Sequence, residues 1–152
     1  MLKKLLLFFK QNDSKINLNI IKQAIIDYRK DGKELMQKLA QKFELDITNE
    51  KDYDKLIERN NVEIPRNGEL SKRWNYAFHG CECGFYNKKS KQQVEVVLSN
   101  QPEFGHIDSW FLLSYMQSTE KYKKEIEGIN WQELKPLIEK LYDSGEIVPV
   151  KN

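Results

Sequence analysis

The stretch FHGCECGFYN, residues 78–87, decides the fold: it holds one of the two His, both Cys and two of the seven Gly. Ahead of it, Trp74, Tyr76 and Phe78 alternate with Asn75, Ala77 and His79, the period-two pattern of a strand. Carried on to residue 86, that alternation predicts one strand over 72–86. His79, Cys81 and Cys83 then share a face with Ala77 and Phe85. Gly80 and Gly84 fall on the other face and have no side chain to pack. They predict a bulge or the close approach of a ring, with Trp110 or Trp131 the expected partner. The polar run NKKSK, residues 87–91, leads to QVEVVL, residues 93–98, which is rich in β-branched residues. The two runs predict a central antiparallel hairpin.

Three chemistries fit the His and Cys. As a metal site, His79, Cys81 and Cys83 supply zinc-type ligands. Same-face neighbours on a strand, however, stand roughly 6–7 Å apart, too wide for one tetrahedral ion. There is no C-x-x-C, no second Cys pair and only one other His, His106. As a catalytic site, His79 would pair with His106, Glu82, Glu103 or Asp108 as acid and base, or activate a Cys. The chain has no nucleophile elbow, no glycine-rich phosphate loop and no H-E-x-x-H. The plainest reading is a pair of buried structural thiols beside a hydrogen-bonded His. On that reading no metal and no cofactor are expected. A bridge between Cys81 and Cys83 would close a strained ring, so the expected compartment is a reducing cytoplasm.

Outward from the hairpin the pattern is helical. Ile20, Ile21, Ala24, Ile25, Tyr28, Leu35, Leu39 and Phe43 form one apolar stripe, with Asn17 or Asn19 as the cap and Gly32 as a possible break. The other face carries Lys22, Asp27, Lys30, Asp31, Lys38 and Lys42, read as solvated surface. Thr48-Asn49-Glu50 predicts a second short helix through Glu58. Pro65 and Asn67-Gly68 predict a turn into extended chain. Asp108 predicts the cap of an apolar helix fading near Ser118. Asn130 starts a last helix over Trp131, Leu134, Leu137, Ile138 and Leu141, with Pro136 inside it and Ser144-Gly145 at its end. EIVPV, residues 146–150, predicts a short edge strand. The expected fold is α+β, with N- and C-terminal helices packed on a small antiparallel sheet around the central hairpin. The expected organisation is a single domain over 1–152: a helical part at 1–60, the hairpin part at 64–98, and helices with a short strand at 108–152.

Composition bounds the partners. The 152 residues are 39% hydrophobic and 11% aromatic, enough for one real core. Twenty-five Lys and Arg face 23 Asp and Glu, for a net charge of +2. That balance argues against a nucleic-acid binder, so none is expected. The run Leu5–Phe9 is too short for a signal peptide, and no membrane association is expected. The stretch PEFGHID, residues 102–108, reads as a loop and cap, or as a polar surface projecting Glu103, His106 and Asp108.

Four segments carry a resemblance. IPRNGEL (64–70), WNYAFHGCEC (74–83), VEVVL (94–98) and EFGHIDSWFLLSYMQS (103–118) resemble a bacterial domain-of-unknown-function family. Its pattern runs I-P-x-x-G-x-L, W-x-Y-x-F-H-G-x-x-C, a hairpin, then an acidic-aromatic lead into an aromatic helix. This chain departs from it at Cys81-Glu82, where the family pattern has a smaller, glycine-containing step. Small proteins of this kind often accompany secreted polymorphic toxins. The resemblance therefore implies a cytoplasmic immunity protein that binds a cognate toxin domain, as in contact-dependent growth inhibition. It would have no enzymatic activity and no small-molecule ligand. The expected interface is an acidic patch at Glu95, Glu103, His106 and Asp108. The alternative is a small metal-dependent or His/Cys-dependent hydrolase or nuclease.

Overall fold

A computed structural model describes residues 16–58, 64–98 and 107–147. In chain order the elements are α1 (Leu18–Lys42), α2 (Glu50–Glu58), β1 (Asn67–Glu69), β2 (Trp74–His79), β3 (Glu82–Asn87), β4 (Gln93–Val97), α3 (Ser109–Ser118) and α4 (Trp131–Asp143). The strands form one antiparallel meander in the order β1-β2-β3-β4. This is the α+β architecture expected from the sequence.

The opening stretch is not one strand. It is a hairpin that reverses at Gly80-Cys81, with His79 opposite Glu82 and Phe78 opposite Cys83. Gly80 has φ +60, and Cys81 is not among the residues with positive φ. Gly at the first position of a two-residue loop is the signature of a type II′ turn, whose twist suits a hairpin. The reversal inverts the parity of every later residue. Cys83 joins Tyr76, Phe78 and Phe85 on the buried face, while His79 and Cys81 are exposed. The expected interior trio of His79, Cys81 and Cys83 is therefore corrected: only Cys83 is interior. β1 is a second departure, since Asn67-Gly68 lies within a strand and the turn follows at 70–73.

Tyr76, Phe78, Cys83, Phe85, Val94 and Val96 line the inner face of the sheet and are buried with Ile21, Ile25, Met36, Leu39, Leu112, Met116, Leu134 and Ile138. α1 touches α3, α4 and β4, and α3 touches α4 and β4. α1 runs through Gly32, which is buried, without a break. Asn17, Asp108 and Asn130 cap α1, α3 and α4 through their side chains, and Glu133 completes a capping box at Asn130. Asp27 and Asp31 are not plain solvated surface. The Tyr122 hydroxyl donates to Asp27, and the Tyr115 hydroxyl donates to Asp31 at 2.6 Å. Trp110 and Trp131 pair with each other, with ring centroids 6.3 Å apart, rather than with a strand glycine.

Of the expected C-terminal strand, residues 148–150 lie outside the described residues. Glu146 and Ile147 form a bend, with the Ile147 N–H donating to the Leu141 carbonyl at 3.3 Å. Among the described residues, no helix is long and apolar enough to cross a membrane.

Because Gly80 sits at φ +60, a β-branched residue there is strained by roughly 1–2 kcal/mol. Gly80→Val is expected to lower the unfolding free energy measured in urea by that amount, and Gly80→Asn by less. Equal stability of all three proteins would mean that the turn does not set the register.

Candidate functional site

The start of α3 presents the least expected side chain. Asp108 accepts from the Trp110 and Phe111 N–H groups at 2.9 and 3.1 Å, fixing the first turn. The Tyr142 hydroxyl accepts from the Ile107 N–H at 2.9 Å and ties that turn to the end of α4. Trp110 is left 58% exposed. It and Trp131, the first residue of α4, wall an open groove of about 350 Å³ floored by Ile107 and Ile138 and edged by Asp108, Lys135 and Glu139. The sequence made Trp110 or Trp131 the expected partner of a strand glycine. The structure puts it in solvent beside a half-buried Trp131.

A second group of polar side chains occupies the outer face of the sheet. Tyr86 donates its hydroxyl proton to Glu95 Oε1 at 2.7 Å, and His79 Nε2 lies 3.1 Å from the same hydroxyl. With its one proton committed to Glu95, Tyr86 accepts from His79, which fixes the proton on Nε2. Glu95 Oε2 is buried with no hydrogen-bond partner among the described residues. The room for this carboxylate comes from Gly84. A Cβ there would meet the Tyr86 hydroxyl at 2.6 Å and the Glu95 oxygens at 2.7 and 2.8 Å. Burial, then the Glu95 carboxylate as acceptor, pushes the Tyr86 hydroxyl far above its ordinary range.

Two carboxylates from other elements act electrostatically on a third here. Burial raises the Glu82 carboxyl, and Glu95 and Asp108 raise it further. The Tyr28 hydroxyl is also pushed far up, by burial and then by Asp108, Glu95 and Glu82. So of the expected interface residues, Glu95 and Asp108 share one electrostatic environment, joined by Glu82. Glu95 is half-buried behind Tyr86, whereas Asp108 is exposed and edges the tryptophan groove. Glu103 and His106 lie outside the described residues.

Among the described residues, no three His, Cys, Asp or Glu come together as a metal site would need. His79, Tyr86 and Glu95 form a hydrogen-bonded chain on this outer face. Neither cysteine belongs to it: Cys83 faces the core and Cys81 sits exposed on the turn.

Two outcomes follow from this geometry. Tyr86→Phe removes the donor to a buried carboxylate and is expected to lower stability by about 1–3 kcal/mol in urea unfolding. A raised Glu82 pKa favours the protonated group in the folded state. Its contribution is present below the ordinary carboxylate range and is lost as pH rises through the folded value. Glu82→Gln is therefore expected to stabilise the protein relative to the parent at pH 7, with the gain vanishing at low pH. A gain that grows on acidification would contradict that sign.

A family model described as a domain of unknown function (DUF6896) matches residues 21–152. No curated protein and no solved structure matches the chain. The match spans most of the sequence and takes in both tryptophans of the groove and the whole sheet, so the chain belongs to the DUF6896 domain-of-unknown-function family.

Proposed function

We propose that this protein is an immunity protein. It binds and neutralises a cognate bacterial toxin domain, of the contact-dependent growth-inhibition or a related polymorphic toxin type, in the cytoplasm and with no chemistry of its own. The observation that carries this reading is Trp110, exposed at the rim of a groove on a molecule whose other large aromatic side chains, among the described residues, are at least partly buried. A solvent-facing Trp beside an apolar floor and a mixed-charge rim has the make-up of an interface anchor. Asp108 flanks it directly. Glu82 and Glu95 add negative potential behind it, so a basic patch on the toxin is the matching surface despite the net charge of +2. Glu103 and His106, expected from the sequence in the same interface, precede this edge in the chain. A standard interface would cover roughly 800 Å² of each partner.

The test is to look for an adjacent reading frame for a large secreted protein and to co-express and co-purify its C-terminal tip with this chain. Survival of the cells and a stoichiometric complex are expected. Trp110→Ala is expected to weaken the complex about 30-fold or more, a hot-spot loss of about 2 kcal/mol, with an unchanged urea midpoint. A neighbouring toxin that kills despite co-expression would remove the immunity reading.

A further inference from the structure

The opposite end of the sheet carries a different signal. The turn at 70–73 and the turn at 88–92 lie side by side, zipped by the Lys88 N–H donating to the Arg73 carbonyl at 2.7 Å. Asn87 holds the second turn rigid, with its side chain accepting from Lys89 and Ser90 N–H groups at 2.9 Å and its carbonyl from Lys91 N–H at 2.9 Å. These two turns contain Lys72, Arg73, Lys88, Lys89 and Lys91 and no carboxylate. The adjacent acid, Glu69, is taken by Lys88 at 2.8 Å, and its carbonyl accepts from Lys42. Lys72, Arg73, Lys89 and Lys91 are exposed and form no ion pair among the described residues. The near-neutral total of charge, which argued against a nucleic-acid binder, hides this segregation.

We infer that this end of the sheet is a binding surface for the phosphodiester backbone of a nucleic acid. Four uncompensated cations fixed on two rigid turns repel one another, and an anionic occupant relieves that repulsion. The composition selects among anionic partners. Lys72, Arg73, Lys89, Ser90, Lys91 and Gln92 include no aromatic or apolar anchor, and Lys is depleted at protein interfaces, where such anchors carry affinity. Clustered point charges with no groove-reading element suit sequence-independent contact with phosphates. This surface is separate from the tryptophan groove. Ser118, at the end of α3, accepts from the Gln93 N–H at 2.9 Å beside the basic turns, while Trp110 lies at the start of the helix, about 12 Å away.

The test is fluorescence anisotropy of the full chain with a labelled 20-base-pair DNA duplex. Binding at 50 mM salt is expected, falling on the order of 100-fold by 200 mM, as neutralising about four phosphates implies. The variant Lys72→Ala/Arg73→Ala/Lys89→Ala is expected to weaken binding at least tenfold and to flatten the salt slope by about 2 to 3. A control with the same net charge, Lys30→Ala/Lys51→Ala/Lys140→Ala, is expected to stay within about twofold of the parent, since it leaves every basic-turn contact in place. No binding at 50 mM salt would overturn the inference. So would equal weakening by the control, which would mean that only total charge matters. Competition by a polyglutamate peptide as effective as unlabelled duplex would reassign the surface to an acidic protein.

Discussion

The reversal at Gly80-Cys81 is the constraint on which the rest of the molecule rests. It converts an unbroken alternation into two strands whose parities mesh, so that Phe78 and Cys83 meet on the inner face and His79 and Glu82 on the outer one. Had the strand continued, Cys83 and Phe85 would have faced away from Tyr76 and Phe78, and the inner face would have lost half its apolar cover. The same reversal leaves Gly84 opposite Ala77 and Glu95 on the outer face, which makes the space that Tyr86 and the Glu95 carboxylate fill.

Once the inner face is defined, the helices have one way to sit. α1 buries Ile21, Ala24, Ile25 and Tyr28 toward the sheet and the other helices. Its polar side is pinned as well. Asp27 and Asp31 receive the hydroxyls of Tyr122 and Tyr115, and the Tyr28 and Tyr115 rings meet edge to face at 5.4 Å. Burial first, and then Asp31, drives the Tyr115 hydroxyl far above its usual range, so it stays a donor at any physiological pH. These bonds orient α3 along the sheet, with its charged cap at one end and the lysine-bearing turns at the other. Among the described residues, a chain with nearly equal numbers of acids and bases thereby gathers a cluster of cations at those turns.

Much of this was legible in the residues. The caps at Asp108 and Asn130, the α1 cap as one of Asn17 and Asn19, the long stripe of α1, the Ser144-Gly145 stop and the α+β layout follow from local chemistry that tertiary contacts do not override. The Gly80 turn was not legible by period, because a two-residue loop leaves the apolar–polar rhythm looking continuous. The Gly-X pair after a strand was the available signal. Trp110 was misplaced because its neighbours are apolar, although its own helical row runs on to Ser114 and Gln117, both polar. Asp27 and Asp31 read as surface because a carboxylate on a polar stripe gives no hint that a distant tyrosine will reach it. The tie between Tyr86 and Glu95 depends on strand register, which no single segment encodes.

The margins of the sheet are closed in a particular way. Along β4, the Tyr28 hydroxyl donates to the Glu95 carbonyl, the Tyr53 hydroxyl to the Leu98 carbonyl at 2.7 Å, and Ser118 accepts from the Gln93 N–H. On the far side, β1 is only three residues long, and Lys42 occupies the Glu69 carbonyl. Among the described residues, these contacts occupy part of each margin and so disfavour recruitment of an incoming strand by β-augmentation. Recognition by the described surface then falls mainly to side chains. Its specificity can therefore be rewritten by point substitutions on the exterior while the hydrogen-bonded frame beneath stays as it is.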